Sequence, residues 1–250
     1  MSANALDAGI AANLAAIHAR IDAACAAAGR APTSVQLLPV SKTQPPDVIR
    51  AAYAAGCRAF GENKVQEADR KQQALSDLDI RWSLIGHLQT NKARDVARFA
   101  HEFQALDSIR VAEALDRHLQ QQGRALDVLV QVNTSGEASK YGLAPEDVVA
   151  FVKRLPAYSA LRIRGLMTLA LQSDNPTHVR ACFSRLRIFR DRLRQELPDG
   201  IMMDELSMGM SGDFELAIAE GATVVRVGQA IFGPRDTPDS LYWPPGSRPD

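Results

Sequence analysis

VQLLPVSKTQPPDVIRAAYAAGCRAFGEN, residues 35–63, contains one full turn of the fold. An apolar run ends at Lys42, Thr43-Gln44-Pro45-Pro46 turns the chain, and a helical stretch follows over 46–55. A second short apolar run then reaches Gly61-Glu62-Asn63. Pro45-Pro46-Asp47 suits a helix start, because a proline in the first turn sacrifices an N–H that has no helical acceptor. The unit reads strand, turn, helix, strand. Pro39 sits inside the first strand and removes a ladder donor, so a local bulge is expected there.

The same rhythm repeats along the chain. Strands are expected at 35–41, 58–61, 81–86, 102–106, 126–132, 162–168, 203–207 and 223–228. Helices are expected near 46–55, 63–75, 90–98, 108–122, 145–154, 176–196 and 212–220. Asp107-Ser108 and Pro145-Glu146 mark helix starts, and Asn175-Pro176 offers an N-cap followed by proline. Strands alternating with helices give an α/β class with a parallel sheet. Eight such units without an intervening linker fit a closed (β/α)₈ TIM barrel. Residues 1–250 are therefore expected to form a single domain, with a barrel core over about 33–235 and an irregular, proline-rich tail at 236–250. Ahead of the barrel, Leu6, Ile10, Leu14, Ile17 and Ile21 recur at helical spacing, giving an extra N-terminal amphipathic helix that ends at Gly29.

Composition narrows the function classes. The chain is 46% hydrophobic and 23% charged, which is enough apolar material for a sizeable core. Lys+Arg and Asp+Glu are 29 each, so no net field draws in nucleic acid or an anionic membrane. Cys25, Cys57 and Cys182 are odd in number and form no CxxC, as expected for reduced thiols in a cytoplasmic protein. The N-terminus lacks the basic segment and unbroken apolar stretch of a secretion signal. No segment is long and apolar enough to span a bilayer.

In such barrels the chemistry lies where strands end. Lys42 ends the first strand, and desolvation at the mouth of a core favours the neutral, nucleophilic amine needed for Schiff-base chemistry. An ordinary solvated lysine is the other reading of that segment. The last two loops hold Ser207, Ser211, Gly212 and Gly228, where small residues let backbone N–H groups reach an anion. They are either tight turns or a phosphate site, and two small, polar loops side by side favour phosphate. Arg226 alternates with Val225 and Val227 and faces inward if Val224 and Gly228 share its side. Its acceptor is either an Asp or Glu or, beside a phosphate cup, an aromatic ring nitrogen. His87 stands at the third strand end and reads as polar lining. Glu62 and Glu67 lack the spacing of a carboxylate pair, and His18, His101, His118 and His178 are too scattered to bind a metal. Six arginines between Arg180 and Arg194 flank an apolar stripe, as on an outer barrel helix.

Seven segments then carry a resemblance: PVSKTQP, FGENKVQEA, IGHLQTNKAR, VNTSGEASKYGL, GLMTL, ELSMGMSGDFELAI and VVRVGQAIFG. Together, in order over roughly 35–233, they resemble the pyridoxal phosphate homeostasis proteins, small single-domain relatives of the alanine racemase barrel. The resemblance implies pyridoxal 5′-phosphate (PLP, the active form of vitamin B6) held as an internal aldimine on Lys42. It implies phosphate contacts from Ser207, Ser211, Gly212 and Gly228, Arg226 at the pyridine nitrogen, and Asn63, His87 and Met167 around the pocket. Lys140 is a weaker candidate neighbour of the cofactor or its access path. Lys64 and Pro39 depart from the family, which commonly has an aromatic residue and alanine there.

The implied function is PLP homeostasis: buffering the free aldehyde and passing it to PLP-dependent apo-enzymes. No catalytic residue is expected, because an arginine at the pyridine nitrogen makes the ring a poor electron sink. Racemases of this barrel also add a second domain for which no residues are expected to remain here, and a monomer follows from the same reasoning. Two alternatives stay open. One is a low-activity PLP-dependent racemase or lyase using Tyr141 or His87, the other an aldolase using Lys42 on a sugar phosphate without PLP.

Overall fold

The computed structural model describes residues 3–137, 140–197 and 201–234. The expected irregular tail at 236–250 lies outside the described residues. Eight parallel strands form one sheet: β1 (Gln36–Pro39), β2 (Ala59–Glu62), β3 (Arg81–Leu84), β4 (Glu102–Leu106), β5 (Leu126–Gln131), β6 (Leu161–Met167), β7 (Glu205–Ser207) and β8 (Val224–Val227). Their order in space is β1-β8-β7-β6-β5-β4-β3-β2. Val40 closes the ring through a parallel bridge to Gly61. The sheet is therefore a barrel, as expected from the alternating pattern.

The described helices are α1 (Ala3–Ala27), α2 (Pro46–Ala54), α3 (Val65–Ala74), α4 (Ala93–Phe99), α5 (Ile109–Gln121), α6 (Val148–Arg154), α7 (Pro176–Glu196), α8 (Phe214–Ala219) and α9 (Gln229–Phe232). Residues 90–92 and 145–147, expected as first helical turns, are 3₁₀ turns leading into α4 and α6. α9 was not expected, because four residues after a glycine carry no period to read. The Asn175 side chain accepts from the Thr177 N–H at 3.0 Å, the N-cap its sequence suggested. No described helix is long and apolar enough to cross a membrane.

Strand burial follows from the helices outside and the packed interior within. In β5, Val128, Leu129 and Val130 are all fully buried, as for a strand covered on both faces. Phe60, Phe103, Phe183 and Phe214 are fully buried too; truncating one such ring costs about 3–5 kcal/mol. α1 buries Ile10, Leu14, Ile17, Ile21 and Cys25, and packs on α2, α8 and α9, where the first and last units meet. Asn13 reaches the Ile231 carbonyl at 2.9 Å and Arg30 the Ile218 carbonyl at 2.8 Å. α7 buries Val179, Phe183, Leu186 and Leu193, while Arg180 and Arg187 pair with Glu220. It is an outer barrel helix, as its stripe implied.

Pro39 corrects one expectation. No bulge occurs there: β1 and β8 stay in register through Pro39 and Val227. Gln36 and Val40 donate to β8, at Thr223 and Val227, so the missing donor of Pro39 falls on the other side, toward β2. Pairing with β2 starts only at Val40, so proline interrupts no ladder bond. The register shifts lie instead in β4–β5 and β5–β6.

Candidate functional site

Lys42 lies just past β1, two residues beyond the Val40 bridge, and is only 7% exposed. It lies in a tight turn in which the Gln44 N–H donates to the Ser41 carbonyl at 3.0 Å. Thr43 has φ 69°, the only positive φ of a non-glycine residue among the described residues. That is the third position of a type II turn, which normally takes glycine. Beside the turn, Lys71 of α3 is buried and donates to the Ser41 carbonyl at 2.7 Å, to Glu62 Oε1 at 2.6 Å and to Glu67 Oε1 at 2.7 Å. Glu67 Oε1 also accepts from the Thr43 N–H at 2.6 Å, and the Ser41 hydroxyl donates to Glu62 Oε1 at 2.6 Å. Burial pushes the Glu62 carboxyl up to about 7, against the pull of Lys71. Its second oxygen is buried without a hydrogen-bond partner among the described residues. The two glutamates that sequence spacing left unconnected thus meet on one lysine. The Glu67–Lys71 spacing of one helical turn was the available signal. Glu62 reaches them only because β2 ends beneath α3.

Arg226 on β8 is inside the barrel and 3% exposed. One terminal nitrogen donates to Ser207 Oγ at 2.6 Å, the other to the Thr168 carbonyl at 2.8 Å. Ser207 donates in turn to Gln104 Oε1 at 2.6 Å, and the Gln104 amide donates to Glu102 Oε2 at 2.7 Å. The Ser83 hydroxyl bonds the same Glu102 oxygen. β5 and β6 separate β4 from β7 in the sheet, so the Ser207–Gln104 bond must cross the barrel interior. Burial pushes the Arg226 guanidinium down to about 10, opposed by Asp213 and Glu102, and it stays charged at neutral pH. Ser207 therefore already has two partners inside the barrel. Fully buried, its single proton goes to Gln104 and its oxygen serves Arg226, which leaves no donor for phosphate in this arrangement.

The loop after β7 is tied to strand β8 by the bond from the Arg226 N–H to the Gly209 carbonyl, at 3.0 Å. Gly209 has φ 93°, and a Cβ there would press on Phe214 and Ala217, so only glycine lets this loop lie on α8. Asp213 accepts from the Met210 N–H at 2.5 Å, and burial raises its carboxyl above the ordinary range. Between them Ser211 is half-buried, and Gly212 is exposed with no atom within 4 Å of where a Cβ would stand. Gly228 is buried ahead of α9, with its carbonyl bonded to the Ile231 and Phe232 N–H groups at 2.9 Å.

On the β3 and β5 side, Gly86 lets Asn63 approach: a Cβ there would collide with the Asn63 carbonyl oxygen. The next residue, His87, stacks on Tyr141 with ring centroids 4.1 Å apart. His87 Nδ1 is buried without a hydrogen bond among the described residues and lies 3.8 Å from Asp107 Oδ2, which accepts from the Gly142 N–H. Met167 is fully buried and in register with Ser207. In-register parallel neighbours share a face, so Met167 points into the barrel with Ser207. Lys140 donates to the Ala170 carbonyl at 2.8 Å and pairs with Glu137 at 2.5 Å, ties that hold its own loop. Lys64 is exposed just before α3. One rim thus gathers a buried amine, a buried cation, small-residue loops and an imidazole.

The alanine racemase N-terminal domain family matches residues 12–236. The pyridoxal phosphate homeostasis protein of Pseudomonas aeruginosa is 46% identical over 227 residues, covering 91% of this chain and 96% of that protein. The structure of PipY from Synechococcus elongatus, solved with PLP bound, aligns with a TM-score of 0.81 at 41% identity, over 90% of this chain and 100% of that one. An alanine racemase from Clostridium difficile shares the fold at a TM-score of 0.72 and 14% identity; the match spans 92% of this chain and 58% of the racemase.

Proposed function

This chain belongs to the pyridoxal phosphate homeostasis proteins, within the alanine racemase N-terminal domain family, and from that premise we propose that it binds PLP reversibly on Lys42 and acts as a PLP carrier. The residues suit such a ligand. Gly212 leaves open space on the rim, and His87 keeps a buried ring nitrogen without a hydrogen-bond partner among the described residues. The Lys42 amine would hold the group through its aldehyde, which would supply a reversible condensation with loss of water, undone by hydrolysis or by exchange with another amine.

The observation that carries the reading is Arg226. It is buried, still charged at neutral pH, and on the strand next to β1, the strand that leads into the Lys42 turn. An arginine facing the pyridine nitrogen would donate a hydrogen bond without giving up its proton, and so would favour the unprotonated nitrogen, a weak electron sink. Lys42 then holds and releases the ligand without net chemistry. Ser211, with the backbone N–H groups of Gly212 and Gly228, binds the phosphate, while Asn63, His87 and Met167 line the pocket. Ser207 serves by fixing Arg226. In this reading the protein is a cytoplasmic monomer that buffers PLP and hands it to apo-enzymes.

The test is spectroscopic. Purified protein with PLP should show an absorption band that borohydride fixes on the peptide containing Lys42, and Lys42→Ala should lose it. An undiminished band in Lys42→Ala sinks the lysine assignment. Robust solvent-deuterium exchange at the α-carbon of any amino acid in a panel overturns the carrier reading. Transfer to an apo-enzyme no faster than from the same concentration of free PLP removes delivery and leaves storage.

A further inference from the structure

A lysine side chain has four torsions, so its amine is only as well placed as the backbone beneath it. Two peptide groups flank Lys42. The first includes the Ser41 carbonyl and the second the Thr43 N–H, and together they set the φ and ψ of Lys42. Both are held by one buried ion-pair cluster. Lys71 donates to the Ser41 carbonyl, Glu67 accepts from the Thr43 N–H, and Lys71 joins Glu67 to Glu62. Glu62 in turn accepts from the Ser41 hydroxyl. We propose that Lys71, with Glu62 and Glu67, positions Lys42 by clamping the peptide on either side of it. The inference rests on the reading of Lys42 as the PLP tether.

Two further features fit a clamp better than an ordinary core ion pair. Thr43 carries a left-handed backbone that a β-branched residue adopts at a cost, and such strain persists only where the surroundings hold it. The acceptor on its N–H is a carboxylate, which binds more strongly than a neutral oxygen. Lys71 is also 5% exposed, so every ionic bond it makes is shielded from water and salt. Lys71 is a positioning residue: its ammonium is bonded to the turn and the two glutamates, and it acts on the ligand only through Lys42.

The experiment compares wild type with Lys71→Met, Glu67→Gln and Lys42→Ala. In protein freed of PLP, limiting acetic anhydride labels lysines, and peptide mass spectrometry reports Lys42 against exposed Lys64 across a pH series. In the same proteins, PLP affinity and borohydride fixation at residue 42 are measured. With the clamp removed, Lys42 should acetylate faster relative to Lys64, and the PLP dissociation constant should rise by about tenfold or more, while unfolding stays cooperative. If the folded variants match wild type in both Lys42 labelling and PLP affinity, the inference is overturned. Should Lys71→Met fail to fold, Glu67→Gln decides, because it keeps the side-chain shape and removes only the charge. If borohydride fixes PLP in wild type on another lysine, the tether reading fails, and the labelling still reports whether Lys71 holds the turn.

Discussion

His87 lies flat against Tyr141, ring centroids 4.1 Å apart and planes 10° from parallel, so the loops after β3 and β5 meet over the barrel mouth. A stacked pair contributes about 0.5–1.5 kcal/mol beyond its buried area. Tyr141→Ala should therefore lower stability by about 1 kcal/mol in urea unfolding and speed PLP release. Tyr141→Phe keeps the ring contact and should release PLP more slowly than the alanine variant. Equal release rates from both would remove the stack from the account.

Ser207 and Ser211 should separate in opposite directions. Ser207→Ala leaves buried donors on Arg226 and an acceptor on Gln104 without a partner, which costs about 1–3 kcal/mol of stability. Ser211→Ala removes a hydroxyl on the rim and should leave the urea midpoint near wild type while weakening PLP binding. The check is a paired measurement of unfolding and affinity on both variants. The reverse pattern would return Ser207 to the phosphate.

Two glutamates should make the protein less stable as pH rises. Burial pushes Glu62 and Glu205 up to about 7, with Glu102 adding to Glu205. Each folded-state value exceeds the unfolded one, so the folded chain binds more protons between about pH 4.5 and pH 7. Stability is highest below that window and falls on passing up through it, by on the order of 1–3 kcal/mol per group after allowing for solvent screening. Glu205→Gln should flatten the fall in urea midpoints measured between about pH 5 and pH 8.

Gly86→Ala is expected to fail. The added carbon would overlap the Asn63 carbonyl oxygen, and backbone on both sides leaves nothing flexible to yield. Circular dichroism and melting should show a loss of several kcal/mol or no cooperative fold. Gly212→Ala, in open space, should melt as wild type does.

The barrel was legible because its signal is repeated: eight apolar runs, each followed by a turn and a helical period. α7 was read to the residue because Asn175-Pro176 caps it and its apolar stripe runs unbroken. The shortest elements were read least well. α9 spans four residues, too few for a period, and Pro39 looked like a bulge because sequence does not reveal which side of a strand is paired. The places of Lys42 at the rim and Arg226 in the barrel interior could be read because each ends or interrupts a strand pattern. The bond from Ser207 to Gln104 could not be, since the two lie 103 residues apart and meet across the barrel. The Lys71 clamp was half visible, as a pair one helical turn apart; its third member, Glu62, is supplied by a strand.

The ring joins β1 to β8 along a four-residue ladder, but joins β1 to β2 at the single bridge from Val40 to Gly61, two residues before Lys42. The first strand thus depends on the last one made. On the ribosome, Lys42 has no completed mouth to occupy until β8 has emerged and docked, whatever the earlier units have done. A truncated or stalled chain would carry the lysine without its setting. In the proposed reading, ligand capture at Lys42 would thereby report that the ring has closed through β8.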